Sequence, residues 1–375
     1  MASSLKRIDS LDVLRGMAIF IMLMLSAPPD DEVYTILKHA PWEGMTFPDV
    51  AFPLFAFAMG AGAAISMSRQ ETSTRKILRR AIILFALGIF LNVTANFFAL
   101  IFVHGLTAEN FWEVIIVHHR PFGILQRLAI TYALGIFLTR FIKRDNRIFL
   151  VAFVLLGISS AGFHLYAHCN PFDEAHNISR TIDYIFPGAN HIYTPTHDPE
   201  GLYGSIAGTA SVMFGYLAGK ILVDNAPINE KFFLMSAAGI VLLIVGDWWT
   251  SIDIVSKKLW TAPYALFNAG GDAILLSLMM KLLDALPCAK KFFRPFKALG
   301  MNPLFFFAAN CLVLDLLTCL PSPTEGVVFY QWLYYHTTQG LISPEVDATI
   351  FCLLWTLIWL PLAEKFCRRG ITIKI

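Results

Sequence analysis

Apolar runs of about 20 residues recur from one end of the chain to the other. Each is long enough, as a helix, to cross the ~30 Å hydrocarbon core of a bilayer. Ten lie near residues 9–27, 48–68, 77–98, 122–142, 148–168, 202–223, 232–249, 262–284, 299–320 and 346–366. With 56% hydrophobic and 15% charged residues and a mean hydropathy of +0.60, the composition is far from that of soluble domains, which carry roughly 25% charge. The expected fold class is therefore all-α: a polytopic transmembrane helical bundle of about ten spans, with residues 1–375 forming one membrane domain. The flank of the first run, Asp9, Asp12 and Arg15, lacks the basic-then-small pattern of a cleavable signal peptide, so that run is expected to stay as a span.

Charge sorts the linkers into two sets. Of 29 Lys and Arg residues, Arg15 and Arg127 fall within spans, and five (Lys38, Arg120, Arg180, Lys257, Lys258) fall in one set of linkers. The other 22, from Lys6 and Arg7 through Arg69 and the Arg75, Lys76, Arg79, Arg80 cluster to Lys374, fall in the alternate set. By the positive-inside rule both termini are expected to be cytoplasmic, and the linkers around His39, 99–120, 169–201, 250–261 and 321–345 to face outward. An anionic ligand on the inner side would also fit these charges, but topology alone explains them as well. No nucleic-acid partner is expected. Six cysteines without a C-x-x-C pair imply neither a disulfide framework nor a zinc site. Neither an internal repeat nor a low-complexity tract is visible, so the inverted repeats of many transporters are missing.

Chemistry concentrates in the first outward linker. His39, Trp42, Glu43 and Asp49 place an imidazole, an indole and two carboxylates at a membrane surface. Histidine is the side chain that most readily serves as a base near neutral pH, and an adjacent carboxylate can orient it.

Polar groups within spans usually mark a pathway or a site. Asp12 and Arg15 share a helix face and read either as an ion pair or, for Arg15, as part of a phosphate-binding group with Arg75, Lys76, Arg79 and Arg80. Arg127, next to Gln126, has no carboxylate at helical spacing and needs a partner on another helix or a ligand. Asn268, Asp272, Asn302 and Asn310 follow, with Asn268 and Asn310 read as interhelical glue. The Gly60–Ala64 cluster and Gly204, Gly208, Gly215 and Gly219 read as close-packing faces. His164 and His168 have metal-ligand spacing but no third ligand, so no metal is assigned, and Asn177-Ile178-Ser179 is a glycosylation sequon.

Several blocks, in order, resemble the catalytic domain of the heparan-α-glucosaminide N-acetyltransferase family. They are Ser10-Leu11-Asp12-Val13-Leu14-Arg15-Gly16, His39-Ala40-Pro41-Trp42-Glu43-Gly44-Met45-Thr46 with Asp49 and Phe52-Pro53, Ile124-Leu125-Gln126-Arg127-Leu128, Asp198-Pro199-Glu200-Gly201, Ala218-Gly219-Lys220-Ile221-Leu222, Lys258-Leu259-Trp260 and Gly300-Met301-Asn302-Pro303. The chain is similar to a compact bacterial member, in the inner membrane, without the extra N-terminal luminal region of the animal enzyme.

The resemblance implies transfer of acetyl from cytoplasmic acetyl-CoA, the donor co-substrate, to the amine of a terminal glucosamine on the far side. It sets the family's catalytic histidine on His39, with Asp49 or Glu43 orienting the ring and Ser26 as a further catalytic candidate. Arg15, Arg79, Arg80, Gln126, Arg127 and Asn302 are the expected acetyl-CoA contacts, and Trp42, Glu43, Asp198, Glu200 and Trp260 the sugar contacts. Asp198-Pro199-Glu200 alternatively caps the following helix. Two positions depart from the family pattern: Ser26 stands where the family has an Asn, and Asn310 where the animal enzyme has a His. Glycan O-acyl transfer and proton-coupled sugar transport or flipping are the competing functions. The expected partners are an amino-sugar or glycan acceptor and the lipid bilayer, with monomer or homodimer open.

Overall fold

The computed structural model describes residues 8–373 apart from 27, 31, 70–72 and 168, together with the backbone but not the side chain of Arg69. Lys6, Arg7, His168 and Lys374, named above, lie outside the described residues. The described residues form helices and turns, with two isolated β-bridges and no strand.

The long helices are α1 (Asp9–Leu25), α2 (Ala51–Arg69), α3 (Thr74–Ala99), α4 (Ile124–Ile142), α5 (Asp145–Tyr166), α6 (Ser205–Val223), α7 (Ile228–Trp249) and α8 (Ala262–Ala285). They are followed by α9 (Arg294–Gly300), α10 (Pro303–Cys319), α11 (Pro344–Leu357) and α12 (Leu360–Arg368). Among the described residues eight helical segments are long and apolar enough to cross a membrane, or nine if the bent pair α9–α10 is one span. The run not counted among them is the first, α1, only 17 residues long, with Leu14, Ala18, Ile19 and Leu23 at most 1% exposed. It is a central core helix of the bundle. The second span begins in a short 3₁₀ turn, Phe47–Val50, and the third continues past α3 to His104, shortening the linker expected at 99–120.

Small residues set the central packing. A Cβ on Gly60 would lie 2.0 Å from the Val212 carbonyl oxygen, and one on Gly215 would lie 2.0 Å from that of Phe57. Thus α2 and α6 touch backbone to backbone, as the glycine pattern suggested, and close approach of this kind is how helices associate where apolar burial gives little drive. A second crossing joins α1 to α9, where a Cβ on Gly16 would sit 1.7 Å from the Phe296 carbonyl oxygen. Beyond it the chain bends by 82° into α10, with Pro303 starting the new helix and lacking the N–H that continuity would need.

The alternate linkers gather at opposite ends of the bundle. At one end Lys297 pairs with Asp9 (2.8 Å), Arg140 donates to Thr74 (2.8 Å), Arg294 pairs with Glu364, and Asn302 holds the backbone of Ile371 and Ile373 (2.9 and 2.7 Å). At the other end Gly44 N–H donates to the Val255 carbonyl (2.7 Å), Trp42 Nε1 to the Phe172 carbonyl (2.8 Å), and Arg120 pairs with Asp198. The first end is basic; the second carries His39.

Gly215→Leu should therefore force α2 and α6 apart, an overpacking cost of about 1–3 kcal/mol or more. A thermal-melt comparison in detergent should show a clear loss for Gly215→Leu and none for Gly157→Ala, whose added Cβ meets open space.

Candidate active site

The linker between α1 and α2 folds around one carboxylate. Thr46 caps the Phe47–Val50 turn and Asp49 is the third residue after it, so the pair forms a capping box: Asp49 Oδ2 accepts from Thr46 N (3.0 Å). The same oxygen accepts from Ala40 N (3.0 Å). The Thr46 hydroxyl lies 2.9 Å from Oδ2 and 2.5 Å from the Lys38 carbonyl oxygen, one proton between two acceptors. Asp49 is fully buried, and its own carbonyl accepts from Tyr264 of α8 (2.6 Å).

The other oxygen, Oδ1, holds the imidazole. His39 Nδ1 lies 2.6 Å from it, and Lys257 Nζ lies 3.4 Å from it and 3.0 Å from the same Nδ1. An ammonium has only donors, so Nδ1 and Nζ share a carboxylate acceptor when Nδ1 carries a hydrogen. That assignment satisfies all three groups and leaves Nε2 with its lone pair. Nε2 has no protein partner among the described residues, and the His39 side chain is 51% exposed. The ring is oriented from behind by the carboxylate, with Nε2 on its half-exposed side.

Around it, Glu43 is exposed and makes no hydrogen bond or ion pair among the described residues. Trp42 is half-buried, edge-on to His197 at 5.1 Å, with Lys258 Nζ 5.8 Å from its ring centroid. Burial and the Lys258 charge hold the His197 pKa below the ordinary histidine value. Gly44, at φ +98°, turns the loop so that its N–H reaches Val255.

The other expected sugar contacts are placed differently. Trp260 is 1% exposed and lies edge-on to Phe52 and Tyr264, with the Arg127 guanidinium 5.4 Å away, so no face remains for a sugar ring. Asp198 and Glu200 neither cap α6 nor face outward: Arg120 donates from Nε to Asp198 (2.8 Å) and from Nη2 to Glu200 (2.6 Å). Burial works against the Arg120 charge, but the two carboxylates outweigh it and hold its pKa above the ordinary value. Arg127 finds its partner in backbone, donating to the carbonyls of Pro199 (2.8 Å) and Gly201 (2.6 Å). Two arginines thus clamp the 198–201 turn from opposite sides.

The expected acetyl-CoA contacts divide. Arg15, Arg80 and Asn302 line one cavity of about 1370 Å³, with Asp12, Gly62, Ser66, Met301 and the 370–373 segment, at the basic end of the bundle. Arg15 pairs with Asp12 (3.6 Å), donates to the Ala58 carbonyl (3.3 Å) and lines that cavity. Arg79 is exposed outside the lining, and Gln126 is buried against Gly88 and Gly123. Ser26 makes no hydrogen bond to His39 or Asp49; its hydroxyl accepts from Asn310 Nδ2 (3.2 Å), whose Oδ1 accepts from Trp355 (2.8 Å). The two positions that depart from the family pattern are therefore one contact. Elsewhere His164 donates to Asp253 (3.0 Å), and the sequon Asn177 is buried, caps the Ile178–Asp183 helix and donates to the Asp173 carbonyl (2.7 Å), which closes it to modification in the folded chain.

Residues 7–187, which carry the His39 loop, match the family described as heparan-alpha-glucosaminide N-acetyltransferase, catalytic. Over these residues, a little under half of the chain, the sequence is similar to that family. The heparan-alpha-glucosaminide N-acetyltransferase of Mus musculus is 23% identical, over 82% of this chain and 54% of the mouse protein. That of Homo sapiens is 23% identical, over 98% of this chain and 60% of the human protein. The chain spans a little more than half the length of these curated relatives. Lys257 and Tyr264, which complete the site around Asp49, lie beyond the matched residues.

One buried acid near the clamp titrates in a testable range. Asp183 accepts from Leu202 N (2.9 Å), its Oδ2 has no partner among the described residues, and burial pushes its pKa up to about 7. The folded state then binds this proton more tightly than the unfolded chain, so its contribution is present at low pH and lost as pH rises from about 4 to about 7. Thermal melts at pH 5 and pH 7.5 should show a smaller drop for Asp183→Asn than for the wild type.

Proposed function

We propose that this chain is a membrane-embedded N-acetyltransferase that moves acetyl from coenzyme A at its basic end to the amine of a glucosamine-type sugar at the His39 end. The observation that carries the reading is the 2.6 Å contact of His39 Nδ1 with the buried Asp49 carboxylate, which leaves Nε2 to act as the base, within the segment that matches the acetyltransferase family. The basic cavity fits the donor: it is larger than a drug-sized pocket, and Arg15 and Arg80 supply guanidinium groups for phosphates. It runs along α2 from Ser66 to Phe55, and Phe55 is six residues, about 9 Å of helix, from Asp49. The charge bias of the linkers makes the basic end cytoplasmic, so the acceptor is drawn from the opposite compartment.

In the proposed reaction the acceptor nitrogen attacks the thioester carbonyl while His39 Nε2 takes its proton. The C–N bond forms, the C–S bond breaks, and the departing thiolate takes up a proton, from the imidazolium or from water. Asp49 stabilises the imidazolium that forms, and Lys257 balances the carboxylate while the ring is neutral. Glu43 and Trp42 are the sugar contacts left accessible by the fold. Direct transfer is favoured over an acetyl-imidazole because a ring half open to water would lose an acetyl group to hydrolysis.

Purified protein in nanodiscs, given radiolabelled acetyl-CoA and glucosamine, should place label on the sugar nitrogen. His39→Ala should lower turnover by about 10²–10⁴-fold. Asp49→Asn should lower kcat more than it raises KM, since it frees the ring to take the other tautomer. Uptake of unmodified sugar without acetylation would replace this reading with transport, and label on a hydroxyl would replace it with O-acyl transfer.

A further inference from the structure

A second cavity, of about 510 Å³, lies beside the catalytic loop and takes no part in the mechanism above. Its wall begins at Met45, Phe47 and Val50, which flank Asp49, and continues along Met17, Phe20 and Ile21 of α1 and Phe267 to Leu275 of α8. Asn268 and Asp272 alone interrupt the apolar lining. Both are more than nine-tenths buried, and Asn268 Oδ1 and Asp272 Oδ2 have no hydrogen-bond partner among the described residues. Two buried oxygens at i and i+4 on one wall, in apolar surroundings, are costly unless a donor reaches them.

The position of the opening decides what could enter. Gly271 lines the cavity, is exposed, and its added Cβ would meet nothing within 4 Å. It lies nine residues past Ala262 in a 24-residue span, about 14 Å along the helix axis, near the middle of a ~30 Å hydrocarbon layer. An opening at that depth meets acyl chains, not water.

We infer that the cavity binds the hydrocarbon tail of a lipid-linked acceptor, with Asn268 and Asp272 receiving a hydroxyl or amide hydrogen near its head, so that the sugar amine at the other end is presented to His39. The inference rests on the acetyltransferase reading and names the acceptor class: an amino sugar carried on a membrane-anchored chain.

The test compares methyl and dodecyl glucosaminides as acceptors in nanodiscs of one lipid composition. The dodecyl compound should be preferred in kcat/KM by about tenfold or more, given the apolar surface its chain can bury. Gly271→Leu, which fills the opening without meeting another group, should collapse that ratio several-fold. On the wild-type protein, a dodecyl glucosaminide with a diazirine at its terminal carbon should label peptides containing Met17–Ile21 or Phe267–Leu275. An equal preference in both proteins, or label confined to bulk lipid and other peptides, overturns the inference while leaving the acetyltransferase intact. Failure of the wild type to acetylate even the methyl compound overturns the enzyme reading itself.

Discussion

The site depends on the burial of Asp49. A carboxylate taken out of water is costly unless donors replace its hydration, and here His39, Ala40, Thr46 and Lys257 supply them. Each donor comes from a different part of the loop or from the far linker, so satisfying the charge also fixes the loop. The first turn before α2 adds a favourable end of the helix dipole. His39 can then stay half exposed and still be oriented, because its restraint lies behind the ring and not around it.

The arginine clamp plays the corresponding part for the neighbouring linker. Arg120 and Arg127 flank the start of α4 and hold the 198–201 turn through carboxylates and carbonyls, respectively. A buried guanidinium held only by carbonyls needs support, and the indole of Trp260 lies beside it. Trp260 itself sits at φ +53°, a conformation that an aromatic residue adopts only where its surroundings fix it. These residues hold the linker that packs beside the His39 loop.

The helical bundle, the packing glycines and the His39–Asp49 pair were legible in the sequence because each rests on short-range spacing: apolar runs of fixed length, small residues on one helix face, an imidazole and a carboxylate ten residues apart in one linker. The partners of Asp198, Glu200 and Trp260 were not. The partner of Asp198 lies 78 residues away, and that of Trp260 49 residues away on α6, so a polar or aromatic residue in an outward linker looks the same whether it faces ligand or protein. Lys257 was visible only as one of five cations on a sparsely charged side. The contact between Ser26 and Asn310 spans 284 residues and links two departures that look independent along the chain.

The polar residues of α1 and α8 gain a common explanation once the cavities are placed. Leu11, Asp12 and Arg15 line the basic cavity, whereas Met17, Phe20 and Ile21 line the apolar one. Arg15 and Met17 are two residues apart, about 200° around the helix at 3.6 residues per turn, so α1 divides the two spaces. A donor in one and an acceptor tail in the other would be kept apart along most of that helix. They could meet only where the partition ends, beyond Leu25, at the level of the linker that carries His39. On the proposed reading, a short first helix is what lets the thioester and the amine converge on the imidazole, and extending α1 would separate them.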